Sequence, residues 1–282
     1  MFVYNKKADL IHFLSAGQNA NATVGLVPTM GALHDGHLSL LKESLAENQL
    51  TVISIFVNPT QFNNAEDLEK YPRNLDADLE KLKSLSDDII VFAPLASEIY
   101  GTDVSAQSYQ FNGIEDKMEG AARPGHFDGV GTIITKLFNI VKPRKAYFGE
   151  KDFQQLQIIR ALVKNYNLPV EIIGVPIYRQ EDGLAMSSRN ERLSETAKTD
   201  ATFIYQTLLE AQKLFSNHSI SQVKDFVTDS FTKNPKFELE YFEIAAEETL
   251  ETATTKEDGK KYRGFLVAHL DKIRLIDNIS LN

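Results

Sequence analysis

The segment Thr51–Val57 (TVISIFV) is β-branched and almost wholly apolar. Such a run suits a strand buried on both faces, as in parallel sheets covered by helices on either side. The neighbouring sequence repeats the theme. Thr23–Val27 predicts a short strand ended by Pro28, and Leu38–Asn48 a helix with Leu38, Leu41 and Leu45 on one face. Asn74–Ser86 has amphipathic helical spacing, and Asp88–Ala93 reads as the next strand. Val130–Val141 predicts a helix, Ala146–Phe148 a short strand, Phe153–Asn165 a helix and Val170–Val175 a strand ended by Pro176. Repeated strand–helix–strand units imply a parallel sheet with helices on both faces. Ligands of such sheets bind beyond the C-terminal ends of the strands.

The pattern changes after about Ile177. Glu195–Phe215 and Ser221–Lys233 read as helices, and Leu239–Ala245, Gly264–Leu270 and Ile273–Asp277 as strands. Residues 249–261 are polar, contain Gly259 and predict an exposed loop. The expected fold class is α/β: a Rossmann-like parallel sheet in residues 1–176, followed by a smaller α+β domain in residues 177–282. A chain of 282 residues, 43% apolar, has room for two cores. Its net charge of −9 repels nucleic-acid phosphates, and no run of Lys and Arg offers a basic arm, so nucleic acid is not an expected partner. With no cysteine, disulfides, thiolate metal sites and cysteine nucleophiles are excluded. No stretch approaches the ~18 apolar residues of a membrane span, and the opening MFVYNKKADLIHFLS lacks the apolar core of a signal peptide. No membrane partner and a cytoplasmic location are therefore expected.

Polar residues of unusual type cluster just after the predicted strands. The first cluster is Pro28-Thr29-Met30-Gly31-Ala32-Leu33-His34-Asp35-Gly36-His37, at a strand-to-helix passage. Glycines at 31 and 36 let backbone approach a ligand. Free N–H groups at the first helical turn attract phosphate. His34 and His37 could donate to phosphate oxygens as charge builds during phosphoryl or adenylyl transfer; a capped helix with two surface histidines, or a metal pair, are the plainer readings. After the TVISIFV strand come Asn58-Pro59-Thr60-Gln61-Phe62, whose amides at 58 and 61 suit a hydroxyl-bearing carboxylate or simply a polar turn. In Glu119-Gly120-Ala121-Ala122-Arg123-Pro124-Gly125-His126, Arg123 is a candidate for anion binding. In Phe148-Gly149-Glu150-Lys151-Asp152-Phe153-Gln154-Gln155, Lys151 stands at a helix start as a mobile charge for phosphate. Gln155, four residues on, is expected on the same side. Last is Gly183-Leu184-Ala185-Met186-Ser187-Ser188-Arg189-Asn190, at the domain change, where an interdomain nucleotide site is expected and Ser187 and Arg189 could hold triphosphate oxygens.

His34-x-Gly36-His37 resembles the HxGH signature of the nucleotidylyltransferase superfamily, and the Met-Ser pair at 186–187 resembles its KMSKS loop. The longer strings PTMGALHDGHLSLL, FVNPTQF, YPR, EGAARPGHFDGV and FGEKDFQQL resemble, in order, those of the pantothenate synthetase family. The C-terminal part resembles it loosely, mainly through LIDN ending at Asn278. The resemblance implies an ATP-dependent ligase that condenses pantoate with β-alanine through a pantoyl adenylate, releasing pyrophosphate and then AMP. It implies catalytic roles for His37, His34 and Lys151. It places ATP on Met30, Gly31, Ala32, Leu33, His34, Asp35, Gly36 and His37, on Gly149, Glu150, Lys151 and Asp152, and on Tyr178, Met186, Ser187, Ser188 and Arg189. It places the acid on Gln61, Gln155, Asn58 and Arg123, with Gln61 also near the incoming β-alanine. Mg2+ is implied with the polyphosphate and no residue is assigned to it, Asp78 being at most a weak candidate. A homodimer through the larger domain and a smaller domain acting as a lid over ATP are implied too. The alternatives are another HxGH nucleotidylyltransferase, a fragment of an aminoacyl-tRNA synthetase, and a non-catalytic nucleotide sensor.

Overall fold

The apolar run around Val52 forms the strand Leu50–Ile55 of a six-stranded sheet, and its four central residues are buried. These relations come from a computed structural model that describes residues 1–69 and 71–282. Lys70, in the polar run before Tyr71, lies outside the described residues. The chain divides into two compact units, Met1–Glu150 with Gln154–Pro176, and Lys151–Phe153 with Ile177–Asn282.

The first unit runs β1 (Phe2–Tyr4), α1 (Lys7–Ser15), β2 (Val24–Thr29), α2 (Asp35–Glu47), β3 (Leu50–Ile55), α3 (Ala65–Glu69), α4 (Leu75–Leu85), β4 (Ile89–Phe92) and α5 (Ala96–Tyr100). It continues with α6 (Met118–Ala122), α7 (His126–Val141), β5 (Lys145–Gly149), α8 (Phe153–Asn165) and β6 (Glu171–Val175), α8 starting at the junction with the second unit. The sheet order is β1-β4-β3-β2-β5-β6 and every pairing is parallel. From β2 the chain adds strands to one side through β3 and β4, then crosses to β5 and β6 on the other. The order therefore reverses between β2 and β5. Their pairing covers only Gly25 with Lys145 and Leu26 with Ala146, although β2 continues to Thr29 and β5 to Gly149. The sheet opens at its C-terminal end where a parallel sheet binds its ligands.

Several sequence expectations need correction. Pro28 does not end β2, because pairing with β3 continues through Pro28 and Thr29. Pairing with β5 has stopped at Leu26, so one side of the strand places no demand for a donor at residue 28. Helix α2 starts at Asp35 and buries Leu40, Leu41 and Ser44, while Leu38 and Leu45 are only partly covered. The leucine spacing hid its polar first turn. Helix α7 starts at His126 rather than Val130, because polar residues and glycines mask its periodicity there. The edge strand β1 and helix α1 were not foreseen; three residues carry too little pattern to mark a strand.

The second unit holds α9 (Glu195–Phe215), α10 (Ile220–Thr232), β7 (Phe237–Ala246), β8 (Tyr262–Leu270) and β9 (Ile273–Ser280). The strands form an antiparallel sheet in sequence order. Ser194 and Ser219 cap the two helices through Ala197 N–H and Gln222 N–H. One core joins helices to sheet through Leu208, Val223, Val227, Leu266 and Ala268, all fully buried.

Candidate active site

In the first unit, the loop from β2 into α2 doubles back on itself. Gly31 has φ +82°, and a Cβ there would stand 3.0 Å from the Asp78 carboxylate. Ala32 is also left-handed, φ +50°, a conformation that an L side chain resists. Helix α4 supplies what holds it. Asp78, 4% exposed, accepts from Ala32 N–H at 3.1 Å and from Leu33 N–H at 2.7 Å. Lys81 Nζ, one turn on, donates to the Leu33 carbonyl at 2.8 Å. Both Asp78 oxygens thus serve the loop backbone, which changes its meaning from weak metal candidate to loop clamp.

The clamped loop delivers His34 and His37 to the start of α2. His34 is the N-cap, and the two imidazole rings lie 4.0 Å apart. His37 Nδ1 accepts from the His34 backbone N–H at 3.3 Å. That bond assigns the proton of a neutral His37 to Nε2, the ring edge opposite the backbone. Both histidines are partly exposed, and Asp35 is exposed beside them.

The turn after β3 carries the expected amides, both buried: Asn58 at 1% and Gln61 at 8% exposure. Tyr100 OH donates to Asn58 Oδ1 at 2.5 Å, and the Thr60 hydroxyl donates to the same oxygen at 3.1 Å. Asn58 Nδ2 therefore faces its acceptors, Gln61 Oε1 and the Gly129 carbonyl, each at 3.1 Å. With its oxygen taken, Gln61 turns Nε2 toward Met30, 3.2 Å from the sulfur. The amide turn and the glycine-bearing loop meet at this pair. Arg123, the candidate for anion binding, and His126 both reach the backbone of this turn. Arg123 Nη2 donates to the Gln61 carbonyl at 3.3 Å, and His126 Nδ1 donates to it at 2.8 Å. They brace the turn from behind.

At the exit of β5, Lys151 lies in a three-residue 3-10 turn, Glu150–Asp152, and α8 begins only at Phe153. Lys151 therefore precedes the helix that carries Gln155 rather than opening it. Gln155 is partly exposed on α8. Its neighbour Gln154 is buried and occupied, donating to the carbonyls of Ile114 and Lys117 and accepting from Glu119 N–H. A Cβ at Gly149 would meet nothing within 4 Å, so open space borders the strand end.

In the second unit, Tyr178–Met186 folds back as a short hairpin closed by Met186 N–H on the Tyr178 carbonyl. Tyr178 is 41% exposed. Ser187 then caps a 3-10 turn, Ser188–Arg192, accepting from Arg189 N–H. A pocket of this unit is lined by Lys151, Ser187, Arg189, Tyr205 and Arg274, with Asp277 in its wall. Arg274 is paired with Glu240 at 2.7 and 2.9 Å, so Lys151 and Arg189 are the side chains that could draw an anion to this hollow. Among the described residues, no group of three or more His, Cys, Asp or Glu gathers where it could hold a metal ion. Sequence reasoning missed Lys81, Tyr100 and His126 as supports; their partners lie far away along the chain, and no spacing rule announces them.

A model of the family described as pantoate-beta-alanine ligase matches residues 3–280. The pantothenate synthetase of Flavobacterium psychrophilum is 53% identical over 281 residues, covering 100% of both chains. That of Christiangramia forsetii is 52% identical over 282 residues, again covering 100% of both. Among solved structures, the pantothenate synthetase of Thermus thermophilus superposes with a TM-score of 0.91 at 38% identity, covering 100% of this chain and 99% of that one. The pantoate-beta-alanine ligase of Francisella tularensis, solved with Beta-gamma ATP and Beta-alanine, gives a TM-score of 0.81 at 35% identity over 100% and 98%.

Proposed function

The chain belongs to the pantoate–β-alanine ligase family, and from that membership we propose that it condenses pantoate with β-alanine through a pantoyl adenylate made from ATP. The observation that carries this reading is the meeting of Gln61 with Met30. It sets an amide donor suited to a hydroxy acid beside a loop and helix start suited to phosphate.

In the first half, a carboxylate oxygen of pantoate attacks the α-phosphorus of ATP. A new P–O bond forms, the bond to the β-phosphate bridge breaks, and pyrophosphate leaves. The N–H groups at the start of α2 and the Nε2–H of His37 stabilise charge building on the phosphate oxygens. Lys151, Ser187 and Arg189 are assigned to the outer phosphates, which carry charge away. Gln61, held by Asn58, Arg123 and His126, orients the acid, with Gln155 as its second amide. In the second half the β-alanine amine attacks the acyl carbon, a C–N bond forms, AMP leaves, and the amine releases its proton to solvent. Positioning and charge stabilisation suffice for both halves.

Magnesium is proposed as the companion of the polyphosphate, keeping most of its waters. No side chain is assigned to it and no step is routed through it. Family membership also supports a cytoplasmic homodimer, with residues 177–282 acting as a lid; sedimentation of the purified protein tests the dimer. The alternatives of another nucleotidylyltransferase or a nucleotide sensor are not favoured by full-length matches to pantothenate synthetases. The deciding experiment is exchange of labelled pyrophosphate into ATP with pantoate and magnesium but no β-alanine. Pantoate-dependent exchange is expected. Release of ADP, or exchange only with an amino acid, overturns the reading.

A further inference from the structure

Lys151 sits on a three-residue 3-10 turn, a geometry whose own hydrogen bonds are poor. Its ammonium is 3.7 Å from the neighbouring Asp152 carboxylate, a half-exposed group that cannot fix a four-carbon side chain in place. What anchors the turn is Asn278 on β9. Asn278 is 2% exposed, and its Nδ2 donates to the Lys151 carbonyl at 2.8 Å.

Every other polar group of Asn278 is also committed. Its Oδ1 accepts from Arg263 Nη1 at 2.7 Å, which settles which end of the amide faces Lys151. Its backbone N–H donates to Asp277 Oδ1 at 2.7 Å, and its carbonyl accepts from Arg179 Nη2 at 3.3 Å. Arg179 in turn binds Asp277 through Nη1 and Nη2, at 2.7 and 2.9 Å, and lies 3.8 Å over the Tyr205 ring. Arg263 binds Glu247 through Nε and stacks 3.9 Å over Phe153, two residues beyond Lys151. Arg263 therefore locks the side-chain amide and Arg179 the backbone carbonyl of the same residue, and that amide holds the backbone of the lysine that lines the pocket. A network satisfied at each member specifies geometry more tightly than its separate bonds.

We propose that Asn278 is a positioning residue for Lys151: it touches no reacting atom, and it sets the place from which the lysine meets the outer phosphates. This rests on the phosphate role assigned to Lys151 above. Lysine rotamers remain free to turn, so an unanchored turn would still allow ATP to bind while the ammonium missed the transition state. The expected signature is a fall in kcat with little change in the KM for pantoate.

The test is a double-mutant cycle in the pyrophosphate-exchange assay, using Asn278→Ala, Lys151→Ala and both together. Asn278→Asp serves as a second probe. It keeps an acceptor for Arg263 but sets a carboxylate oxygen against the Lys151 carbonyl, and it remains informative if the alanine variant fails to fold. Either Asn278 substitution should slow exchange by roughly 10- to 100-fold in the native background, and by less than about twofold once Lys151 is alanine. A merely structural role would reduce the folded fraction, and hence the rate, equally in both backgrounds; that result overturns the proposal. Native-like exchange by both Asn278 variants overturns it too. Native-like exchange by Lys151→Ala alone overturns both the proposal and the lysine's assigned role, a result distinct from the other two.

Discussion

Asp78 holds a residue in a conformation it would otherwise leave. The left-handed Ala32 stays in place because the carboxylate takes the N–H groups of residues 32 and 33 together. Hydrogen bonds to a charged group contribute about 1.5–3 kcal/mol each, and losing the clamp lets the loop relax away from the phosphate site proposed for it. Asp78→Ala should therefore cut pantoate-dependent exchange by roughly 10- to 100-fold and raise the KM for ATP more than that for pantoate; an unchanged KM for ATP would contradict the clamp. His37→Ala should cost roughly 10²–10³ in adenylation rate while stability falls by only about 0.5–1.5 kcal/mol, the worth of the capping bond it makes to His34 N–H. Much of this polar constellation was legible, because glycines, histidines and amides just after strands are rare in bland sequence. What stayed hidden was support from a distance. Asp78 acts on residues 45 and 46 positions earlier, and the bond from Arg123 to the Gln61 carbonyl spans 62 positions that no spacing rule connects.

Helix α7 crosses the amide turn at Gly129, where a Cβ would come within 2.4 Å of the Thr60 carbonyl oxygen. Backbone cannot yield as a flexible side-chain end would. Gly129→Ala should destabilise the protein by about 1–3 kcal/mol and raise the KM for pantoate, read from denaturant titration and exchange kinetics respectively; a native KM would separate the helix from the turn. At the other end of the sheet, Tyr147 of β5 is fully buried, donates to Glu47 at 2.7 Å and accepts from Asn48 at 2.7 Å. Burial first, then the Glu47 carboxylate, pushes the phenol well above its ordinary range. Because the folded value is raised, its contribution is complete below about pH 10 and fades as pH climbs through the folded value. Tyr147→Phe should cost about 1 kcal/mol at neutral pH, flatten the alkaline fall in stability, and leave exchange at pH 7 unchanged. The interior strands were readable at this scale because burial on both faces leaves an unbroken apolar run. The start of α7 was not, because Gly129 makes room for the backbone of Thr60 and Gly131 for the rings of Tyr109 and Phe111, and both break the helical pattern.

The division of the whole chain does not follow its sequence at one place: Lys151–Phe153 goes with the second unit although residues on both sides belong to the first. Cutting at 176/177 should therefore damage the C-terminal unit. A fragment of residues 177–282 loses the Phe153 ring from Phe265 and Arg263, an aromatic burial that contributes about 1.5–3 kcal/mol. Its thermal midpoint should fall by at least several degrees relative to the same unit in the full chain; equal midpoints would mean the segment contributes nothing to that core. The opening between β2 and β5 has a different kind of consequence. It is drawn by the main chain, in two strands that stop pairing while both continue, and no side chain has to be retained to keep it. A cleft made this way can outlast its contents. On the role proposed for Gln61, exchanging that amide would re-specify which acid is admitted while the opening persists, so this scaffold lends itself to directed evolution toward other acceptor acids.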